Sequence, residues 1–233
     1  MLVQCCICGQ EDATEIAEAP ALPILDPHVS ASPEEFGLFV LPVDGLQVEA
    51  PDFGSFTIEV DLIGQNLGVT LDTAGDYGPM IKGIQAGAVH DYNQLHPDRA
   101  VRKFDRIHSM DEAQGTAAIF RRIKGGKLKE IETLCILRPR TFVASITKTG
   151  DLGVLLDYNR HSLGLVVRQV LNDGHVAEWN KVHIQDAFSE GDRLFELNGE
   201  SLSGEAMLEE IRASKTLLFT VLKYPKPPEA PKQ

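Results

Sequence analysis

The feature that most limits how this chain can fold is a duplication. Gly87 heads the stretch GAVHDYNQLHPDRAVRKFDRI, and Gly174 heads GHVAEWNKVHIQDAFSEGDRL. Asn93 and Asn180, His96 and His183, Ala100 and Ala187, and the pairs Asp105-Arg106 and Asp192-Arg193 all stand 87 positions apart. Upstream, QNLGVTLD (65–72) returns as GDLGVLLD (150–157), offset by 85, so one loop differs by two residues. A long unit present only twice reads as a duplicated domain rather than a solenoid, which stacks many short repeats. A chain of 233 residues has room for two small domains. The expected boundaries are 54–139 and 140–225, with an arm over 1–53 and a tail over 226–233.

Each copy has legible periodicity. SFTIEVD and TFVASITK alternate apolar and polar residues, the pattern of a half-buried strand. GVTLD and GVLLD are short strands, and MIKGIQ and LVVRQV are β-rich runs. TAAIFRRIK and EAMLEEIR place apolar residues three and four apart, as a helix does. TLCILR and LLFTVLKY close the copies as strands. The predicted order is strand, glycine turn, strand, strand, short helix, strand, helix, strand.

That order, with a Leu-Gly-Val step between the first two strands, resembles the PDZ domain family, over both copies and about 170 residues. The resemblance implies an α+β, mainly β fold: two five- to six-stranded, partly open antiparallel barrels, each capped by two helices. It also implies a carboxylate loop, here Asn66-Leu67-Gly68-Val69 and Asp151-Leu152-Gly153-Val154. Glycine lets the backbone turn so that successive N–H groups converge on an anion. An open strand edge beside the loop lets a ligand peptide add as a further strand. The implied groove residues are Leu67, Gly68, Val69, Leu71, Thr116, Phe120 and Ile123 in copy one. In copy two they are Lys148, Leu152, Gly153, Val154, Leu156, Gly204, Leu208 and Ile211.

The copies depart from each other and from the family. Phe104 stands where copy two has the expected Gly191, and neither groove helix begins with His. NQLHPDRAV and NKVHIQDAF are longer connections than a compact PDZ domain needs. Only copy two has a cation, Lys148, just before its loop, so its groove is expected to take a carboxylate better, with Asp151 opposing. A pocket lined by Val154, Leu156, Leu208 and Ile211 suits a terminal Val, Leu or Ile.

The net charge of −12 is concentrated at one end. No Lys or Arg precedes Lys82, whereas 14 Asp and Glu do. A strongly acidic chain is unsuited to general phosphate neutralisation, which needs clustered cations, so nucleic acid is not an expected partner. Pro20, Pro23, Pro27, Pro33, Pro42 and Pro51 break the arm, which reads as extended or disordered. Its apolar piece, Phe36 to Pro42, is a docking candidate. The chain has no apolar run long enough to span a bilayer and no basic, apolar leader at its start. Cys5, Cys6 and Cys8 crowd the N-terminus, apart from Cys135. Two readings stand for them: acylation, which would hold the chain at a membrane, and a plain mobile end. Their CxxC spacing lacks a second ligand pair, so no metal site is expected.

His96 and His183 read as structural, satisfying a helix end or loop carbonyl. FRRIKGGKLK packs five cations between Arg121 and Lys129. Three readings remain for it: an anionic headgroup site, a solvated helix face, and a surface on which the acidic arm folds back. No nucleophile elbow, zinc-protease, P-loop or dinucleotide motif occurs. The expectation is therefore a non-enzymatic, cytoplasmic adaptor, membrane-associated if acylated. It would capture C-terminal tails of other proteins, with no cofactor, metal or small-molecule substrate. The alternatives are a structural subunit whose grooves are empty or self-filled, and a regulatory module of a separate enzyme.

Overall fold

The computed structural model describes residues 3–4, 53–126 and 128–226. Cys5, Cys6 and Cys8, the Phe36–Pro42 stretch and residues 227–233 lie outside them. Described strands are β1 (Val3–Gln4), β2 (Gly54–Asp61), β3 (Val69–Asp72), β4 (Met80–Ile84), β5 (Arg106–Met110), β6 (Ala113–Gln114) and β7 (Ile131–Arg138), then β8 (Arg140–Thr147), β9 (Val154–Asp157), β10 (Leu165–Val170), β11 (Arg193–Leu197) and β12 (Thr216–Lys223). The helices are α1 (Ala88–Leu95), α2 (Thr116–Lys124), α3 (His175–Val182) and α4 (Gly204–Ala213). None is long and apolar enough to cross a membrane.

Two open antiparallel sheets result. The first runs β2-β7-β5-β4-β3, with β6 against β5, and the second runs β8-β12-β11-β10-β9-β1. Replacing β2, β7, β5, β4 and β3 by their repeat partners gives the second order, except that β1 is added beyond β9 and β6 has no counterpart strand among the described residues. The fold is α+β, mainly β, and PDZ-like in both halves. Pro139 alone separates β7 from β8. Two residues of the expected free arm therefore belong to the fold: Val3 pairs with Leu156 and Gln4 with Leu155, antiparallel.

The repeated residues build the same braces twice. The Asn93 carboxamide donates to Val101 O and accepts from its N–H, both at 2.8 Å. Asn180 does the same with Phe188 at 2.8 and 2.7 Å. A side-chain amide thus stands in for a missing strand and satisfies the backbone of the long connections. His96 and His183 end α1 and α3, their N–H groups donating to Tyr92 O and Trp179 O at 2.9 Å. His183 also stacks on Trp179 at 3.6 Å. These histidines cap helices, as expected.

Each half has its own apolar core, Ile58 to Ile136 in the first and Phe142 to Val221 in the second. A third cluster joins them: Met80, Leu137, Leu222 and Tyr224, with Phe104, Leu163 and Phe195 packed on it. Polar bonds surround this shared core. Arg193 donates from Nη1 to Asp72 Oδ2 at 3.0 Å, and both side chains are buried. The Leu163 N–H donates to the same oxygen at 2.8 Å. Arg106 donates from Nη2 to Gly191 O at 2.8 Å, and Tyr224 from its hydroxyl to Phe104 O at 2.8 Å. The halves form one compact unit.

Candidate functional site

The glycine loops have the geometry that the sequence implies. Gly68 has φ 72° and Gly153 φ 70°, in the left-handed region that glycine enters without steric cost. A Cβ on Gly153 would lie 1.9 Å from Asp173 O, and one on Gly68 2.8 Å from Gln85 O. The loop carbonyls are used. Asn66 O and Leu67 O accept from Ala88 and Val89 N–H at the start of α1, and Asp151 O and Leu152 O accept from His175 and Val176 N–H at the start of α3. Gln85 and Leu171 N–H donate to Gly68 O and Gly153 O at 2.8 Å. The N–H groups of Leu67 and Gly68 donate to no acceptor among the described residues.

Beyond the loops the halves differ. In the first, β3 ends its sheet, and its outer edge pairs with no other described strand. Val69, Leu71 and Ile123 are half-buried at the margin of the first core, and Phe120 on α2 is 38% exposed. Leu67 thus lies in the first core, with Val69, Leu71 and Ile123 packed against it and Phe120 exposed on α2. In the second half, β1 occupies the edge of β9. Leu152, Val154, Leu156, Leu208 and Ile211 are all buried, none above 5% exposed.

Three expected groove residues are placed otherwise. Lys148 does not offer its charge to the second loop. Its ammonium donates to Ile211 O at 2.5 Å and Arg212 O at 3.0 Å, at the C-terminal end of α4. The last carbonyls of a helix lack internal partners and carry partial negative charge, so a nearby Lys settles there. Thr116 is buried rather than facing a groove: its hydroxyl donates to Gly75 O at 2.7 Å and accepts from Gly78 N–H at 3.1 Å. The loop between β3 and β4 therefore lies over the start of α2. Gly204 is covered in the same way, since a Cβ there would meet Tyr158 Cβ at 2.6 Å.

The basic stretch after Phe120 is partly neutralised within its own half. Arg122 forks onto Glu132 at 2.8–3.2 Å and reaches Asp111 at 3.0 Å, while Lys129 meets Asp111 at 2.6 Å. Lys129 and hydrogen bonds to the carboxylate hold Asp111 below its ordinary range, and Glu132 raises Arg122. Among the described residues no three metal-ligating side chains gather.

Reasoning from sequence missed the strand β1, the loop over Thr116 and the crossing of Arg106 and Arg193 into opposite halves. The first has no periodic signal in two residues. The last had one, because the two Asp-Arg steps and the closing residues Asp72 and Asp157 recur at matched places.

No family model and no curated protein matches the chain. Among solved structures it is similar to the structure of INAD PDZ45 in complex with NG2 peptide, at 17% identity over 77% of this chain and 95% of that one, with a TM-score of 0.34. It is also similar to the complex structure of INAD PDZ45 and NORPA CC-PBM, at 16% identity over 77% and 96%, with a TM-score of 0.33. The PDZ-like fold is read from the strand order and glycine loops of the chain itself.

Proposed function

We infer that the protein is a peptide-binding interaction module that takes a C-terminal tail in its first groove. The observation that carries this reading is the pairing of an unpartnered strand edge at β3 with the unspent N–H groups of Leu67 and Gly68 at its head. An N–H group that a bound peptide shields from water costs about 1–3 kcal/mol if it is left unpaired. A terminal carboxylate satisfies them, and the peptide behind it completes the sheet along β3. Val69, Leu71, Phe120 and Ile123 receive an apolar final side chain. The loop held by Thr116 shortens the groove, so the final few residues of the tail carry recognition. In the second half the edge is taken by the chain's own β1, which supports self-filling there. The reading is of an adaptor rather than a catalyst.

The test is titration of the full chain with a short peptide ending in free Val, Leu or Ile, and with its C-terminal amide. Binding should be weak, roughly micromolar, because a short peptide buries little area and must be ordered. Amidation should weaken it about tenfold, the expected share of a charge-assisted contact. Phe120→Lys, on the exposed wall, should weaken it similarly while melting stays near wild type. Equal binding of acid and amide, or an unchanged affinity in Phe120→Lys, would overturn the reading.

A further inference from the structure

Away from both grooves, a cleft of about 650 Å³ opens between the halves. Phe53, Tyr77, Leu137, Tyr224 and Pro225 give it a largely apolar wall, and Arg106 stands in that wall. Arg106 is 3% exposed. Its guanidinium lies 3.5 Å from the Tyr224 ring centre, and its Nη2 donates to Gly191 O. Its Nε has no hydrogen-bond partner, as is true of Arg193 Nε, and no carboxylate forms an ion pair with Arg106 among the described residues, although the Asp192 charge acts on it from further off. A guanidinium carries five N–H donors in a planar fork suited to carboxylates, and here most of that capacity is unspent. Burial brings its pKa down to about 10, so it still carries its charge at neutral pH.

The repeat supplies an internal control. Arg193 occupies the equivalent place in the second half and is matched by the buried carboxylate of Asp72 from the first. Asp157, the counterpart of Asp72, makes no such bond to Arg106. Of the other cations lining the cleft, Lys226 is exposed to solvent, while Lys223 and His108 have less charge to offer a ligand. Lys223 is held by Ala187 O, Ser189 Oγ and Asp192. His108 is biased toward its neutral form by burial and by Arg106. At the rim stand the exposed carboxylates of Asp76 and Glu190, which disfavour a second negative charge.

We propose that this cleft is a binding site for a small molecule bearing one carboxylate on an aromatic or aliphatic body. The carboxylate pairs with Arg106 in a desolvated setting, and the apolar body lies against Tyr77, Tyr224 and Leu137. The volume fits, since small-molecule pockets run about 300–1,000 Å³ with a few placed polar groups in apolar walls. The site is independent of the peptide groove, and it runs against the sequence expectation of no small-molecule partner.

The experiment follows amide chemical shifts of the full chain during titration with indole-3-propionate and, separately, its primary amide. The acid should shift Gly191, Tyr224 and Tyr77, and should bind at least about tenfold tighter than the amide, as a charge-assisted fork predicts. Arg106→Gln should abolish the difference between acid and amide. Because Arg106 is buried, Gln114→Trp serves as a second variant: it fills the exposed cleft wall, leaves Arg106 intact and should remove binding of both compounds. Failure of the full chain to bind the acid, equal binding of acid and amide, or unchanged affinity in Gln114→Trp would each overturn the proposal. So would shifts confined to Gly68 and Val69, which would place the acid in the peptide groove instead.

Discussion

Arg106 and Arg193 begin equivalent strands, follow equivalent aspartates and cross into the opposite half, yet they end in different chemistry. Arg193 finds Asp72, with both side chains buried and bonded at 3.0 Å. Arg106 finds a carbonyl oxygen and the face of Tyr224. The sheet edges diverge in parallel: β3 pairs with no further described strand, whereas β9 pairs with β1. Both differences arise where the copies meet something outside themselves, and neither arises inside a copy. Within each half the Asn brace, the glycine loop and the helix-capping histidine repeat closely. What folds each half is therefore alike in both, while the surfaces between the halves are unequal.

The largest expected effect comes from breaking the matched pair. Asp72→Ala leaves Arg193 buried without its carboxylate, and removing one partner of a buried ion pair costs about 3–5 kcal/mol. It also strands the Leu163 N–H that Asp72 accepts. Arg106→Met removes a buried charge that has no carboxylate, which relieves its desolvation cost, but leaves Gly191 O without its donor, which costs about 1–3 kcal/mol, so the two effects largely offset. Its stability should stay within about 1 kcal/mol of wild type. Urea unfolding of the two variants compares them directly. A loss in Arg106→Met equal to that in Asp72→Ala would mean that Arg106 is paired after all.

Phe104 and Gly191 give a smaller contrast. Both have positive φ, 75° and 85°, but only Gly191 is suited to it. A left-handed non-glycine residue costs about 1–2 kcal/mol. The Phe104 ring offsets this by packing edge-on against Phe195, with centroids 4.5 Å apart. Phe104→Ala loses the ring and keeps the backbone strain, whereas Phe104→Gly loses both. Glycine should therefore be the better replacement by about 1 kcal/mol, the reverse of the usual order within regular structure. Thermal melting of the two variants checks the order, and an alanine variant more stable than the glycine variant would contradict it.

What was legible in the sequence followed from repetition and period. The alternation in 55–61 and 141–148, the two glycine steps and the helical spacing near Phe120 and Leu208 gave the strand order, because local sterics and one-sided burial dictate those patterns. Phe104 could be noticed as a departure, but its compensation lies in Phe195, ninety-one positions away, and distant packing leaves no periodic trace. Lys148 is close to its loop in sequence, but the orphan carbonyls ending α4 compete for its ammonium more strongly than the loop does. Thr116 was misassigned because helical spacing fixes which face a residue shares, not which loop folds over that face.

The smallest expected effect on stability bears most directly on the unequal grooves. Residues 1–8 carry β1, which pairs with β9 through Val3 and Gln4 alone. A backbone hydrogen bond contributes about 0.5–1.5 kcal/mol net, and fixing each residue costs about 1–2 kcal/mol of backbone entropy. The two terms nearly cancel over so short a strand, so deleting 1–8 should move the melting temperature by no more than about 2 °C. Binding should change more visibly, because the deletion bares the edge of β9. The stoichiometry for a peptide ending in free Val or Leu should rise from one to two, and the new site should survive Phe120→Lys. Its final side chain would have to move Val154, Leu156 or Leu208 aside, since all three are buried, so the second site should be the weaker. If the stoichiometry stays at one, the packed floor closes the second groove without help from β1. The difference between the halves would then reside in their cores rather than in the arm.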